Sequence, residues 1–240
     1  MNAPLYFLPG WCLGRGPLES AVNALNGQFI DLPGYRGQAP ISDFNEAADQ
    51  IAQSLPEGAF LAGWSIGAQL ALVIAARHPD KVARLLLIAG TASFVQRDTW
   101  PHAMPPAMLA EFTAAVAADA AGMLPRFVGG FNRGDDKAKE VSRQILELAD
   151  PLPPADVLAC GLRWLAEVDL QETARQVSAP TLLIHGAADP LMPLAAAEAL
   201  ADLIPQASLA TMTGCAHAPF ISQPTAFLDL ARDFLGRQQG

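Results

Sequence analysis

The stretch Ala59-Phe60-Leu61-Ala62-Gly63-Trp64-Ser65-Ile66-Gly67-Ala68-Gln69-Leu70-Ala71-Leu72 decides how this chain of 240 residues folds. Ala59–Ala62 is a short apolar run without alternation and reads as a buried strand that breaks at Gly63. An amphipathic helix is expected from about Ile66 to Arg77, stopped by His78-Pro79. Between the two lies Gly63-Trp64-Ser65-Ile66-Gly67, a G-x-S-x-G pattern. Its spacing has a physical cause. A serine on a tight strand-to-helix turn adopts strained backbone angles, and side chains at the two flanking positions would collide with the turn's neighbours. The hydroxyl is thereby exposed, and the helix N-terminus behind it favours developing negative charge.

Working outward, Val82–Ile88 is a second buried strand, and Leu5–Leu8 and Phe29–Leu32 read as strands before the serine turn. Ser42 is expected to cap a helix running to about Leu55. From about Thr91 to Val177 strands disappear, and helical segments alternate with breaks at Pro101, Pro105-Pro106, Gly129-Gly130 and Pro151–Pro154. The Ala-rich stretch Ala114–Ala121 belongs to those helices. The β-α rhythm resumes at Pro180 with a strand at Thr181–Ile184, a helix near Leu194–Leu203, a strand near Ser208–Met212 and a closing helix from about Pro224 to Leu235. This is an α/β pattern, with a mostly parallel central sheet flanked by helices. The expected organisation is one domain over 1–240, its core at about 1–95 and 178–240, with a helical cap at about 96–177 inserted after the strand at 82–88.

Composition narrows the function classes. With 51% hydrophobic and 16% charged residues the chain is globular, yet no apolar run approaches the roughly 20 residues of a membrane span. The first ten residues lack a basic segment and reach Pro9-Gly10 early, so a cytoplasmic protein is expected. Cys12, Cys160 and Cys215 have no C-x-x-C spacing, which supports neither a disulfide framework nor a zinc site. Cys12 and Cys215 read as small packing residues. Gly14-Arg15-Gly16 lacks the third glycine of a dinucleotide loop, so no cofactor is expected. A net charge of −9 argues against nucleic-acid binding. The charge is uneven, however. From Arg126 to Arg143 five bases (Arg126, Arg133, Lys137, Lys139, Arg143) face three acids, a net +2 that leaves −11 on the rest.

A serine hydroxyl attacks only if a base takes its proton. Of the four histidines, His78 ends a helix, His102 lies in the inserted region and His185 ends a strand in a packing position. His217 sits in Thr213-Gly214-Cys215-Ala216-His217-Ala218-Pro219, a loop after the last strand, and is the candidate base. Asp189, in the loop after the preceding strand, is the candidate orienting carboxylate. The order Ser65, Asp189, His217 is that of the G-x-S-x-G hydrolases. Donors for an oxyanion are expected from the backbone N–H groups of Ile66 and Trp11.

With these residues in place the chain resembles the pimeloyl-[acyl-carrier protein] methyl ester esterases of biotin synthesis, a family of the α/β-hydrolase fold. The marks are Pro-Gly-Trp after the first strand, Asp31-Leu32-Pro33-Gly34, the serine turn with its preceding Trp64, Arg97-Asp98-Thr99-Trp100-Pro101, and Ala216-His217-Ala218-Pro219-Phe220-Ile221-Ser222. The resemblance implies hydrolysis of a pimeloyl methyl ester held on acyl-carrier protein; the acyl-transfer chemistry calls for no metal or organic cofactor, and a monomer is expected. It implies substrate contacts from Trp11, Ser65, Ile66, His217 and the cap segment Phe127, Val128, Gly129, Gly130 and Phe131. Arg126, Lys139 and Arg143 fall where the family's cap grips the acidic carrier. The family usually carries His before the glycine that is Gly10 here; Pro9 stands in its place and donates no hydrogen bond. The antiparallel edge strands often found before the first strand are expected to be reduced or missing. Other chemistries of this fold remain open to the same triad: a general carboxylesterase, a carbon–carbon bond hydrolase, a perhydrolase, or a binding protein without catalysis.

Overall fold

The computed structural model describes residues 3–236. Among them six strands form one sheet in the order β2-β1-β3-β4-β5-β6, from β1 (Leu5–Leu8), β2 (Gln28–Phe29), β3 (Ala59–Trp64), β4 (Val82–Ile88), β5 (Thr181–Gly186) and β6 (Ala207–Met212). Every pairing is parallel, so no antiparallel edge strand occurs among the described residues. The chain steps outward from β1 to β2, then crosses back to β3 and continues the other way to β6. The loops leaving β1 and β3 therefore diverge at the strands' carboxyl ends, which is where a parallel sheet opens a crevice.

The helices that flank the sheet are α1 (Glu19–Ala24), α2 (Phe44–Ser54), α3 (Ile66–Arg77), and the later α9 (Leu194–Leu203), α10 (Pro219–Ser222) and α11 (Pro224–Gly236). Between β4 and β5 come α4 (Pro106–Ala118), α5 (Ala120–Phe131), α6 (Ala138–Leu148), α7 (Ala155–Glu167) and α8 (Gln171–Ala174). No sheet strand interrupts them, as the loss of strand patterning implied.

Three local expectations are corrected. α3 is not amphipathic: ten of its twelve residues are buried, because it is enclosed by β3 and β4 on one side and α2 and α8 on the other. α2 is capped by Asp43 rather than Ser42, since Asp43 accepts from the Glu46 N–H at 2.8 Å. Ser42 instead offers its carbonyl to Trp164 Nε1 at 2.8 Å and ties this turn to α7. The expected strand at 29–32 survives as the two residues of β2. Just past it, the buried carboxylate of Asp31 takes a two-pronged hydrogen bond from Arg15.

The Ala-rich stretch is helical but divided, with Asp119 ending α4 and accepting from Gly122 N–H to cap α5. Gly129 and Gly130 lie in the last turn of α5, where a Cβ at either would meet nothing within 4 Å. Substituting Ala at either position is expected to raise stability by up to about 1 kcal/mol, readable as a higher midpoint in urea melts. Arg97 fastens the other end of this region. It donates to the carbonyls of Ala166, Glu167 and Val168, placing a cation at the C-terminus of α7. Among the described residues no helix is long and apolar enough to cross a membrane.

Candidate active site

Ser65 stands between the end of β3 and the start of α3 with φ 58° and ψ −121°. That is an uncommon conformation for a residue with a Cβ, and the packing around it explains why it persists. The Ser65 N–H bonds to the Ile88 carbonyl of β4 at 3.0 Å, and its own carbonyl accepts from Ala68 N–H at 2.9 Å. A Cβ on Gly63 would strike the Gly67 backbone, and one on Gly67 would strike the carbonyls of Leu8 and Pro9. Both glycines are thus required by close backbone approach, and Gly67 sets the serine turn directly against the exit of β1.

His217 and Asp189 meet through a 2.7 Å bond from His217 Nδ1–H to Asp189 Oδ2, with both side chains buried. With Nδ1 donating, the lone pair of a neutral ring lies on Nε2. Asp189 Oδ1 accepts from the N–H groups of Leu191 and Met192 at 2.9 and 3.0 Å, so three donors fix the carboxylate. Gly186 lets the end of β5 approach this pair, since a Cβ there would meet the carbonyls of Cys215 and Ala216. His185 lies behind the pair, fully buried, and donates from Nε2 to the Met192 carbonyl at 2.7 Å. Burial holds its pKa below the ordinary histidine value, against the pull of the nearby Asp189 carboxylate. His78 is far from this chemistry and pairs with Asp49 at 2.7 Å.

Ser65 and His217 both line a cavity of about 180 Å³. The loop after β1 supplies Gly10, Trp11 and Leu13, and the segment between β4 and β5 supplies most of the rest, including Met108, Phe112, Leu162 and Leu165. Among the described residues that line it, His217 is the one with a titratable side chain. From α5, Phe127 and Phe131 reach the cavity, as expected for positions four apart on one helix face. Val128, Gly129 and Gly130 do not. The helical period turns Val128 into the core and leaves Gly129 exposed, so the substrate contacts expected of these three residues do not come through this lining. The Ile66 side chain is likewise buried away from the cavity, so its expected part is confined to its N–H.

Trp11 is held by its ring. Nε1–H donates to the Leu158 carbonyl of α7 at 3.1 Å, and the ring makes edge contacts with Phe112 and Phe127. Gly161 has no Cβ because the Trp11 ring occupies that space. The next residue, Cys12, has φ 61°, and its N–H bonds to Tyr35 Oη at 2.9 Å. Burial pushes the Cys12 thiol well above its ordinary range, in keeping with a packing role. Trp64, like Leu13, Met108, Phe112, Leu162 and Leu165 of the lining, had no assigned part in the sequence; its Nε1–H donates to the His217 carbonyl at 2.9 Å. The signal was present as the unusual tryptophan beside the serine, but its partner lies 153 positions away.

A parallel sheet that presents a strained serine after β3, an aspartate after β5 and a histidine after β6 has the architecture of an α/β-type serine hydrolase. A model of the alpha/beta hydrolase fold family matches residues 3–224. The pimeloyl-[acyl-carrier protein] methyl ester esterase of Aromatoleum aromaticum is 40% identical, with 93% of this chain and 95% of that one covered. That of Nitrosomonas europaea is 34% identical over 95% of this chain and 94% of its own. The chain belongs to the family of these esterases within the α/β hydrolases. Among solved structures, an esterase from Exiguobacterium antarcticum superposes with a TM-score of 0.84 at 21% identity, covering 99% of this chain and 94% of that one.

Proposed function

We propose that this protein hydrolyses the methyl ester of a pimeloyl chain carried on acyl-carrier protein, releasing methanol and the carrier-bound acid for biotin synthesis. The observation that carries the reading is the apolar cavity with Ser65 and His217 in its wall. Such a wall suits a methylene chain, and its described residues include no lysine or arginine to hold a free carboxylate in place of a neutral ester. The names of relatives covering nearly the whole chain agree with it.

Ser65 Oγ attacks the ester carbonyl as His217 Nε2 takes its proton. Asp189 holds the ring in the required tautomer and stabilises its charged form. The N–H groups of Ile66 and Trp11 receive the oxyanion. His217 then gives its proton to the departing methanol, leaving an acyl-Ser65. Water, deprotonated by the same ring, attacks the acyl carbonyl and restores the serine. Residues 96–177 act as a cap whose inner side binds the acyl chain and whose outer side meets the carrier.

Arg126, Lys139 and Arg143 are all exposed on α5 and α6, though Arg143 also bonds Glu147 at 2.7 Å. Long-range attraction between these cations and an acidic carrier speeds encounter. Reversing all three charges to Glu is expected to lower kcat/KM on the carrier-bound ester by roughly tenfold or more at low salt, and to leave a short free ester within about twofold. Equal losses on both substrates, or none on the carrier-bound ester, would sink the docking assignment. Failure of the wild-type protein to cleave the carrier-bound ester would sink the substrate assignment itself.

A further inference from the structure

The loop carrying His217 is gripped by a residue that the acyl-transfer mechanism does not use. Asp135 lies in the turn between α5 and α6 and is buried, at 7% exposure. Its Oδ2 accepts from the N–H of Ala216, the residue before His217, at 2.9 Å. Its Oδ1 accepts from the Ser222 hydroxyl at 3.0 Å and from its neighbour Lys137 N–H at 2.8 Å. Two more contacts reinforce the joint: Asp136 N–H bonds the Gly214 carbonyl at 3.0 Å, and Lys137 Nζ bonds the Ser222 carbonyl at 3.3 Å. Both ends of the segment 214–222 are thus tied to one turn of the cap.

The geometry points to Asp135 as a positioning residue for the base: through Ala216 and Ser222 it sets where His217 stands over Ser65, and it makes the cap part of the catalytic frame. A buried carboxylate facing three donors and no acceptor acts as a rigid three-way anchor. No neutral side chain of the same shape reproduces it, because the NH₂ of an asparagine must face one of those donors. The Trp64 bond to the His217 carbonyl holds the same loop from the serine side. Base and nucleophile are therefore referred to each other from one side and to the cap from the other. The inference rests on His217 being the base.

The test compares wild type with Asp135→Asn, Ser222→Ala and His217→Ala, using hydrolysis of para-nitrophenyl butanoate and proton NMR of the strongly deshielded His217 Nδ1–H. Asp135→Asn is expected to lower kcat by roughly ten- to a hundredfold with KM within about twofold, since misplacement near 1 Å costs on that order. The Nδ1–H resonance is expected to shift or broaden in the folded protein. Ser222→Ala, which removes one of the three donors and keeps the charge, is expected to give a smaller effect with the same signature. It decides the matter if Asp135→Asn does not fold. A purely structural role predicts lower melting temperatures with kcat and the resonance unchanged, and that result in either folded variant overturns the positioning role. Loss of turnover in His217→Ala alongside that result confines the failure to Asp135. Turnover that survives in His217→Ala overturns the mechanism and the inference together.

Discussion

Replacing Ser65 by Ala is expected to lower ester turnover by roughly four to six orders of magnitude while the protein stays folded. The serine side chain makes no capping bond at the start of α3, so its loss removes a nucleophile and no structural tie. Alanine keeps the Cβ that the turn already accommodates at φ 58°. Asp189→Asn is expected to cost about four orders, because an amide facing His217 Nδ1 favours the wrong tautomer. Single-turnover kinetics and mass spectrometry of an organophosphate adduct measure both: the adduct should form on wild type and be absent from Ser65→Ala. Turnover by Ser65→Ala within tenfold of wild type would remove Ser65 from the mechanism.

The second large effect is expected from one methyl group. Gly67→Ala puts a Cβ against the carbonyls of Leu8 and Pro9, which are backbone and cannot swing aside. Either α3 or the exit of β1 must move, and the two oxyanion donors expected from Ile66 and Trp11 lie on opposite sides of that contact. A stability loss of about 3 kcal/mol or more is expected, from the mechanisms that give large single-site effects. Whatever protein remains folded should show kcat reduced about a hundredfold or more. Thermal melts and kcat on a free ester check the pair of effects, and a wild-type melting temperature would contradict the packing argument.

How far the fold could be read in advance depended on where each constraint lies along the chain. β3 and β4 were legible because burial on both faces leaves uninterrupted apolar runs, and the start of α3 because the serine turn demands glycine two residues to either side; the burial of α3 all round was not foreseen. Asp189 and His217 stood out because each lies in a loop after a strand in the expected order, Asp189 after the buried β5 and His217 after the half-exposed edge strand β6. The short length of β2 was not legible, since local patterning does not show that Asp31, two residues past it, is taken up by a bond with Arg15. Phe127 to Phe131 were expected as one contiguous contact segment, whereas a helix presents only every third or fourth residue to one side, so Phe127 and Phe131 line the cavity and the three between them do not. Trp64 stood out beside the serine without showing its part, and Asp135 carried no local sign, because their partners lie 153 and 81 positions away.

The apolar wall of the cavity also bears on the fate of the product. Hydrolysis turns a neutral guest into an anion in the same place. Among the described residues no lysine or arginine lines that space to receive it, and an unpaired carboxylate in apolar surroundings is costly. The acid is therefore driven toward water as soon as it forms, while the incoming ester bears no such penalty. A surface that favours the ester over the acid is expected to make inhibition by the product weak, so that added acid should leave the initial rate of ester hydrolysis nearly unchanged.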